Sequence, residues 1–186
     1  KCIIMNDFKV LYNKASVPVY VKILNEYCED LKKNIINHRK NFPVSNKSNV
    51  KAWHSSWATH EETTDFNFFS KIVIDEVSSI YNVEELTIDS MWAMMYEKSD
   101  HALPHAHFPA EYVAIYYVDV ETGCSPIVFQ YGLKVIPENG MLLVFPGRLH
   151  HQVPPTDKKR MLISWNLETP GDKRGELEYA DNIKYG

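Results

Sequence analysis

The spacing of apolar residues changes near residue 85 of the chain. Before that point apolar residues recur at steps of three and four, and after it they alternate with polar residues. The first spacing places apolar side chains on one face of a helix, whereas alternation places them on one face of a strand. The sequence therefore predicts helices in the first part of the chain and a sheet in the second.

Two amphipathic helices are predicted in the first part. One spans about residues 17–38, with Pro18 in its first turn. The other begins at Thr64 or Asp65, either of which can cap it, and ends at Asn82.

The segments around these helices are less regular. Residues 6–14 alternate weakly, which predicts a short strand at a domain edge. Residues 41–60 are rich in Asn and Ser and are interpreted as an irregular connection. His54 and His60 lie in this connection near two tryptophans, and each is either a metal ligand or, as we expect, a surface or hydrogen-bonded residue.

About eight short strands are predicted from residue 86 onward. The alternating segments are residues 86–96, 112–120, 126–131, 133–136, 141–145, 150–153, 161–167 and 177–183. Helices followed by short antiparallel strands are typical of an α+β domain whose sheet forms a sandwich or barrel. At 186 residues we expect a single domain, mainly helical over residues 1–84 and mainly β over residues 85–186.

Composition narrows the possible partners. The net charge is −4 with scattered Lys and Arg, so we expect no nucleic-acid partner. The longest apolar runs are only a few residues, such as residues 141–145, and we expect no membrane span. Cys2, Cys28 and Cys124 form neither a paired framework nor a CxxC motif, which favours a reducing, cytoplasmic compartment. The oligomeric state cannot be inferred from these features.

Histidines are concentrated between residues 101 and 166. Residues two apart in a strand point the same way, so His105 and His107 can face one metal ion. A further imidazole comes from His150 or His151, which follow a buried strand that ends in proline. Three neutral imidazoles, or two with a carboxylate, suit iron(II), manganese or copper with open coordination positions better than structural zinc.

Arg160 shares one face of a predicted strand with Leu162, Ser164 and Asn166. A lone Arg that points into an apolar barrel is costly unless it meets a carboxylate. It is either a rim residue in a surface salt bridge or a bidentate clamp for an acidic co-substrate. In the second case Tyr117 can add a hydrogen bond to the same carboxylate.

Taken together, these motifs resemble the double-stranded β-helix core of the 2-oxoglutarate- and iron(II)-dependent oxygenases, in the prolyl-4-hydroxylase-like branch that includes small microbial and phage members. The resemblance covers about residues 86–168. It rests on PHAH at 104–107, YYV at 116–118, NG through FPGRLHHQVPP at 139–155, and RMLISWN at 160–166. It implies a double-stranded β-helix with N-terminal helices packed on the sheet. It also implies an enzyme that uses Fe(II) as cofactor and 2-oxoglutarate and O2 as co-substrates.

The resemblance also implies roles for individual residues. His105 and His151, rather than His150, are the first and distal iron ligands. Arg160 grips the distal carboxylate of 2-oxoglutarate, assisted by Tyr117. The co-substrate site is completed by Ser164 and Asn166. The implied reaction hydroxylates a C–H bond of a small molecule or a peptidyl residue, such as proline, and releases succinate and CO2.

This sequence departs from the family at the second ligand. The family pattern is H-x-D or H-x-E, and here the position is His107. The third ligand is therefore His107 or a carboxylate, and Glu111 is the nearest in sequence. A neutral third ligand changes the charge at the metal and so its affinity and redox behaviour.

Two alternatives use the same barrel. A cupin-type metalloprotein would take His105, His107, Glu111 and His151 as ligands and would need no 2-oxoglutarate. A non-catalytic binding module would keep the fold without metal-dependent chemistry. In the enzyme, the pocket entrance is expected to include Trp92, Tyr96 and Trp165, for which core packing is the competing interpretation.

Overall fold

The computed structural model describes residues 3–5, 7–45 and 49–170, and for residues 3–5 the backbone alone. The helices are α1 (Cys28–Asn41), α2 (Thr59–Glu62) and α3 (Thr64–Tyr81). The first strands are β1 (Ile3–Met5), β2 (Phe8–Tyr12), β3 (Pro18–Ile23), β4 (Val50–Lys51), β5 (Trp53–His54), β6 (Thr87–Tyr96) and β7 (His101–His105). They are followed by β8 (Tyr112–Val120), β9 (Ile127–Phe129), β10 (Lys134–Val135), β11 (Met141–Pro146), β12 (His151–Val153) and β13 (Arg160–Glu168). Single turns of 3₁₀-helix cover Asn25–Tyr27 and Gln130–Gly132.

The strands form two antiparallel sheets. The larger sheet has the order β1-β2-β3-β11-β8-β13-β6-β5, and the smaller has the order β10-β9-β12-β7-β4. Strands distant in sequence are neighbours in both sheets, as in a jelly roll. This is the double-stranded β-helix that the motifs predict, with two main helices beside it.

Alternation along the central strands separates two apolar cores. On β13, Met161, Ile163 and Trp165 pack in a core shared with α1 and α3. Leu162 belongs instead to the core between the two sheets. Because successive residues of a strand point to opposite faces, one strand contributes to both cores. The helices therefore cover the outer face of the larger sheet, and its inner face is left for the site.

The first predicted helix is partly wrong, because residues 18–23 form strand β3. The sequence there, PVYVKI, is rich in β-branched residues, which favour a pleated, half-buried surface. β3 pairs with β2 on one side and with β11 on the other. A turn precedes it, in which Ser16 has a positive φ of 59° and the Asn13 side chain accepts the backbone N–H groups of Ala15 and Val17. Helix α1 begins only at Cys28.

The second predicted helix is present, with a different N-cap. The helix predicted to end at Asn82 is α3, and Asn82 takes the left-handed conformation of a C-cap, with φ 52°. Its N-cap is Thr63, one residue before the predicted caps, and the Thr63 hydroxyl accepts the N–H of Phe66. The first 84 residues contain α1, α2 and α3, and they also contribute the short strands β1 to β5.

The predicted strand at residues 177–183 lies outside the described residues. Within the described part of the chain, no helix is both long and apolar enough to cross a membrane.

Candidate metal centre

Three histidines meet at the inner face of the smaller sheet. Strand β12 pairs with β7 in a register that sets His151 directly opposite His105. His107 follows two residues after the end of β7. One nitrogen from each ring lies within 4.8 Å of a nitrogen of each other ring. Ligand atoms about 2.1 Å from one ion are roughly 3–4 Å apart, so the histidine cluster (His105, His107 and His151) is close to the geometry of a metal site.

A close approach of two loops positions His107. Its backbone N–H donates to the carbonyl of Gly147 at 2.8 Å, and the Gly147 N–H donates to the carbonyl of Glu111 at 2.8 Å. A Cβ on Gly147 would lie 1.9 Å from the carbonyl oxygen of Ala110, so only glycine fits there. Gly147, which directly follows β11, therefore holds the segment that carries His107.

Hydrogen bonds to Nδ1 decide which nitrogen of each ring is available. Nδ1 of His105 contacts the carbonyl of Leu103 at 2.7 Å, and Nδ1 of His151 contacts the carbonyl of Leu149 at 3.0 Å. A carbonyl oxygen can only accept, so both Nδ1 atoms carry the proton. This leaves the Nε2 lone pairs free to bind an ion, which is the usual arrangement around a metal-bound histidine.

His107 is held in the same way by a side chain. Its Nδ1 donates to Oδ1 of Asn166 at 2.7 Å, and its Nε2 is buried without a hydrogen-bond partner among the described residues. Nδ2 of Asn166 donates to the hydroxyl of Ser90 at 3.0 Å, and that hydroxyl donates to the carboxylate of Asp89 at 3.0 Å. The Asn166–Ser90–Asp89 chain thus fixes the tautomer of His107 and leaves one buried acceptor that an ion would satisfy.

Burial keeps the cluster uncharged. Desolvation lowers the pKa of His107 from 6.5 to about 4, and it also lowers the pKa of His105. The pKa of His151 falls well below its ordinary value because the ring is buried beside the other two. All three imidazoles are therefore neutral at pH 7, as metal ligands must be.

The structure favours His107 over Glu111 as the third member. The Glu111 carboxylate is exposed and accepts hydrogen bonds from the backbone and hydroxyl of Thr169. It does not belong to the histidine cluster. The four-ligand cupin set that includes Glu111 is therefore not assembled. His150 is exposed and is not part of the cluster either.

A cavity of about 300 Å³ adjoins the histidine cluster. Its walls include Trp92, Tyr96, Tyr117, Ser164 and Asn166. All five are residues that the sequence predicts at the pocket entrance or the co-substrate site. Trp92 stacks on His107 with ring centroids 5.8 Å apart, and burial raises the pKa of Tyr117 to about 12. This volume is at the lower end of the range for small-molecule sites.

Arg160 is 2% exposed and adjoins this cavity through Tyr96, which lines it, while Arg160 itself does not. Its Nη1 donates to the carbonyl of Ser125 at 3.0 Å, and the guanidinium lies 4.3 Å from the ring centroid of Tyr96. Among the described residues, its buried Nε and Nη2 atoms have no hydrogen-bond partner, and neither does the buried hydroxyl of Ser164. No carboxylate within the described residues forms an ion pair with Arg160. The rim salt bridge considered from the sequence is therefore wrong.

Two assignments from the sequence change. Trp165 does not line the cavity, because it is fully buried in the helix-side core, where its indole N–H donates to Ser70 at 2.8 Å. The described bonds of Asn166 go to His107 and Ser90, so it supports a ligand rather than standing free for a co-substrate. The sequence could not identify this acceptor, because Asn166 and His107 are 59 residues apart.

Comparisons with known proteins bear on the fold. The sequence matches no protein-family model and no curated protein sequence. Similar solved structures include a prolyl-4-hydroxylase from Pseudomonas putida, at 14% identity and a TM-score of 0.66, covering 84% of this chain and 95% of that one. Another is the viral collagen prolyl hydroxylase of Paramecium bursaria Chlorella virus-1 bound to 2-oxoglutarate, at 13% identity, a TM-score of 0.61, and coverage of 79% and 94%.

A third is HygX from Streptomyces hygroscopicus, with nickel and 2-oxoglutarate bound. It is 9% identical, with a TM-score of 0.68 and coverage of 84% of each chain. These similarities confirm the predicted fold, which this chain shares with 2-oxoglutarate-dependent proteins, prolyl hydroxylases among them.

Proposed function

We propose that this protein is a non-haem iron(II)- and 2-oxoglutarate-dependent oxygenase. It hydroxylates a C–H bond of a small-molecule or peptidyl substrate and releases succinate and CO2. The observation that carries the proposal is the pairing of two groups that lack partners among the described residues. One is the buried Nε2 of His107 in the histidine cluster, and the other is the buried Nε and Nη2 of Arg160, whose guanidinium contacts Tyr96 in the wall of the cavity.

Each group calls for a different part of one ligand set. Three neutral imidazoles offer nitrogen ligands to a divalent ion and leave its charge uncompensated. A buried guanidinium without a carboxylate is costly, so it calls for an anion. A dicarboxylate with a keto acid end satisfies both, since one end chelates the ion and the other pairs with Arg160. Iron, when bound, would supply the activation of oxygen that C–H hydroxylation needs.

The residues of the chain have distinct tasks in this proposal. His105, His107 and His151 hold the ion through Nε2. Arg160 binds the distal carboxylate with Nε and Nη2, the two guanidinium nitrogens that have no hydrogen-bond partner among the described residues. Tyr117 and the Ser164 hydroxyl line the cavity and are available for the same anion. Because the cavity walls are largely apolar, they keep water from the reacting centre.

The substrate class is suggested by the similar structures. Two of the three described are prolyl hydroxylases by name, which favours a peptidyl-prolyl residue. The pocket geometry fits a small molecule equally, as loops choose the substrates on this fold.

Binding of 2-oxoglutarate to protein loaded with Mn(II) tests the proposal without turnover. We expect Arg160→Ala to weaken 2-oxoglutarate binding by about 100-fold, since a buried charge-assisted pair is lost, while Mn(II) affinity changes little. Arg148→Ala, at an exposed arginine, is the matched control and should bind as the parent does. Metal binding with no 2-oxoglutarate affinity in the parent protein would contradict the proposal and favour a metalloprotein without this co-substrate.

A further inference from the structure

Four side chains that line the cavity form the recognition wall: His54, Trp57, Asp89 and Trp92. The three rings among them are packed together. His54 lies 4.4 Å from Trp57 and 5.5 Å from Trp92 between centroids, and Trp57 lies 4.8 Å from Trp92. Trp57 is 44% exposed, which places it toward the cavity mouth. Trp92 and Asp89 also support His107, but no member of the recognition wall is a metal ligand or a 2-oxoglutarate contact in the proposed function.

His54 contributes an unsatisfied acceptor to the recognition wall. It is 1% exposed, and its Nδ1 contacts the carbonyl of Ser55 at 2.6 Å. Since the carbonyl can only accept, Nδ1 carries the proton and Nε2 carries the lone pair. Nε2 is buried with no partner among the described residues. A buried acceptor of this kind is satisfied when a ligand donates a hydrogen bond to it.

Asp89 contributes a negative charge. It is exposed, and its described hydrogen bond comes from the hydroxyl of Ser90 at 3.0 Å. None of the ion pairs in the described part of the chain involves Asp89. Among described residues, no Lys or Arg lines the cavity. The exposed ring of Trp57 and a carboxylate without an ion-pair partner among the described residues line the same cavity, which favours a cation.

The recognition wall lies at a fixed distance from the metal centre. Trp92 is stacked between His54 and His107, with interplanar angles of 10° and 13° and centroid distances of 5.5 and 5.8 Å. A group bound at His54 is therefore separated from the metal ligand His107 by the ring of Trp92. A substrate that reaches both places has several bonds between the recognised group and the carbon that reacts.

We infer that the substrate carries a cationic N–H group, an ammonium or a guanidinium, which is bound by the Asp89 carboxylate, the Nε2 of His54 and the ring of Trp57. The group is either part of a small amine or the basic side chain of a peptide. This inference rests on the proposed function, because it takes the cavity to be the substrate site of an oxygenase.

Tryptophan fluorescence of the Mn(II)-loaded protein, without 2-oxoglutarate, tests the inference separately from that function. The probes are N-acetyl-lysine methylamide, N-acetyl-arginine methylamide and the uncharged N-acetyl-norleucine methylamide. We expect both cationic probes to bind at least about 10-fold more tightly than the norleucine probe. Equal affinities, or no binding by any probe, would overturn the inference while leaving the 2-oxoglutarate result as it stands.

Three variants assign the preference to the recognition wall. Asp89→Asn keeps the acceptor for Ser90 and removes the charge, so the preference for cations should fall to near unity. His54→Phe keeps the stacked ring and removes the acceptor, and should weaken the cationic probes by about 10-fold. Asp75→Asn, at an exposed aspartate of α3, should leave the preference unchanged. Circular dichroism checks that each variant is folded, and unaltered preference in Asp89→Asn would overturn the assignment.

Discussion

Asn166 accepts a hydrogen bond of 2.7 Å from Nδ1 of His107. A strand of the larger sheet, β13, therefore orients a histidine that follows β7 of the smaller sheet. The second bond of the amide, from Nδ2 to Ser90, fixes which way the amide faces. Because the bond places the proton on Nδ1, it leaves Nε2 of His107 as the ligand atom.

Removing the Asn166 acceptor should weaken metal binding. We expect Asn166→Ala to weaken Mn(II) or Ni(II) binding by about 10- to 100-fold, the usual effect of losing a residue that orients a ligand. Ser164→Ala, on the same strand face, is the control and should bind metal normally. Calorimetric titration of the metal-free protein measures both, and parental affinity in Asn166→Ala would show that the bond has no role in metal binding.

The identity of the third ligand can be tested by exchange. His107→Asp would give the two-histidine, one-carboxylate set common in iron(II) oxygenases, so we expect iron to be retained. His107→Ala should lose most of its iron. Glu111→Gln should lose none, because the Glu111 carboxylate contacts Thr169 and not the histidine cluster. Iron content after gel filtration measures all three. Loss of iron from Glu111→Gln would indicate that the Glu111 carboxylate is a ligand.

Gly147 offers a test of loop placement. A methyl group there would collide with the carbonyl of Ala110, so Gly147→Ala must displace the segment that carries His107. We expect about a 10-fold or greater loss of metal affinity with the fold retained. Gly132→Ala is a control for adding a methyl group, since nothing lies within 4 Å of a Cβ at that position, although its positive φ of 85° makes it mildly strained. Circular dichroism checks folding, and normal metal affinity in Gly147→Ala would contradict the loop argument.

The metal-free protein should lose stability as pH falls. The pKa of His107 is lowered from 6.5 to about 4, so the unfolded chain takes up a proton before the folded protein does. The stabilisation is complete above about pH 6.5 and declines below it, by about 2 kcal/mol at pH 5 from His107 alone. Urea unfolding at several pH values measures this, and His107→Phe should make the profile shallower, since His105 and His151 keep their lowered pKa values. A parent profile without slope between about pH 7 and 5 would contradict the burial argument.

The strands that hold the site follow from local pattern. β8, β11 and β13 are apolar runs bounded by turn residues, and their observed bounds lie within about one residue of the predicted ones. Periodicity also gave α3, because a long amphipathic run is a strong signal. The same reasoning failed at β3, where apolar residues spaced for a helix are also β-branched, and pairing with β2 and β11 decided the outcome.

The site was predictable only in part for a similar reason. His105 and His151 come from motifs, and the strand register sets them opposite each other. The acceptor for His107 and the recognition wall around His54 depend on contacts between residues far apart in sequence. A single sequence does not encode such contacts in any local pattern. Trp165 was misplaced because alternation gives two faces of a strand without saying which one meets the cavity.

Visible spectroscopy after anaerobic addition of Fe(II) and 2-oxoglutarate to the purified protein tests whether the histidine cluster and Arg160 together bind an iron–keto acid complex. We predict the weak charge-transfer band of a keto acid chelated to iron(II), absent without 2-oxoglutarate and lost in His151→Ala. We also predict that Arg160→Ala requires about 100-fold more 2-oxoglutarate to develop the band. Iron binding with no band at saturating 2-oxoglutarate would contradict the proposed function.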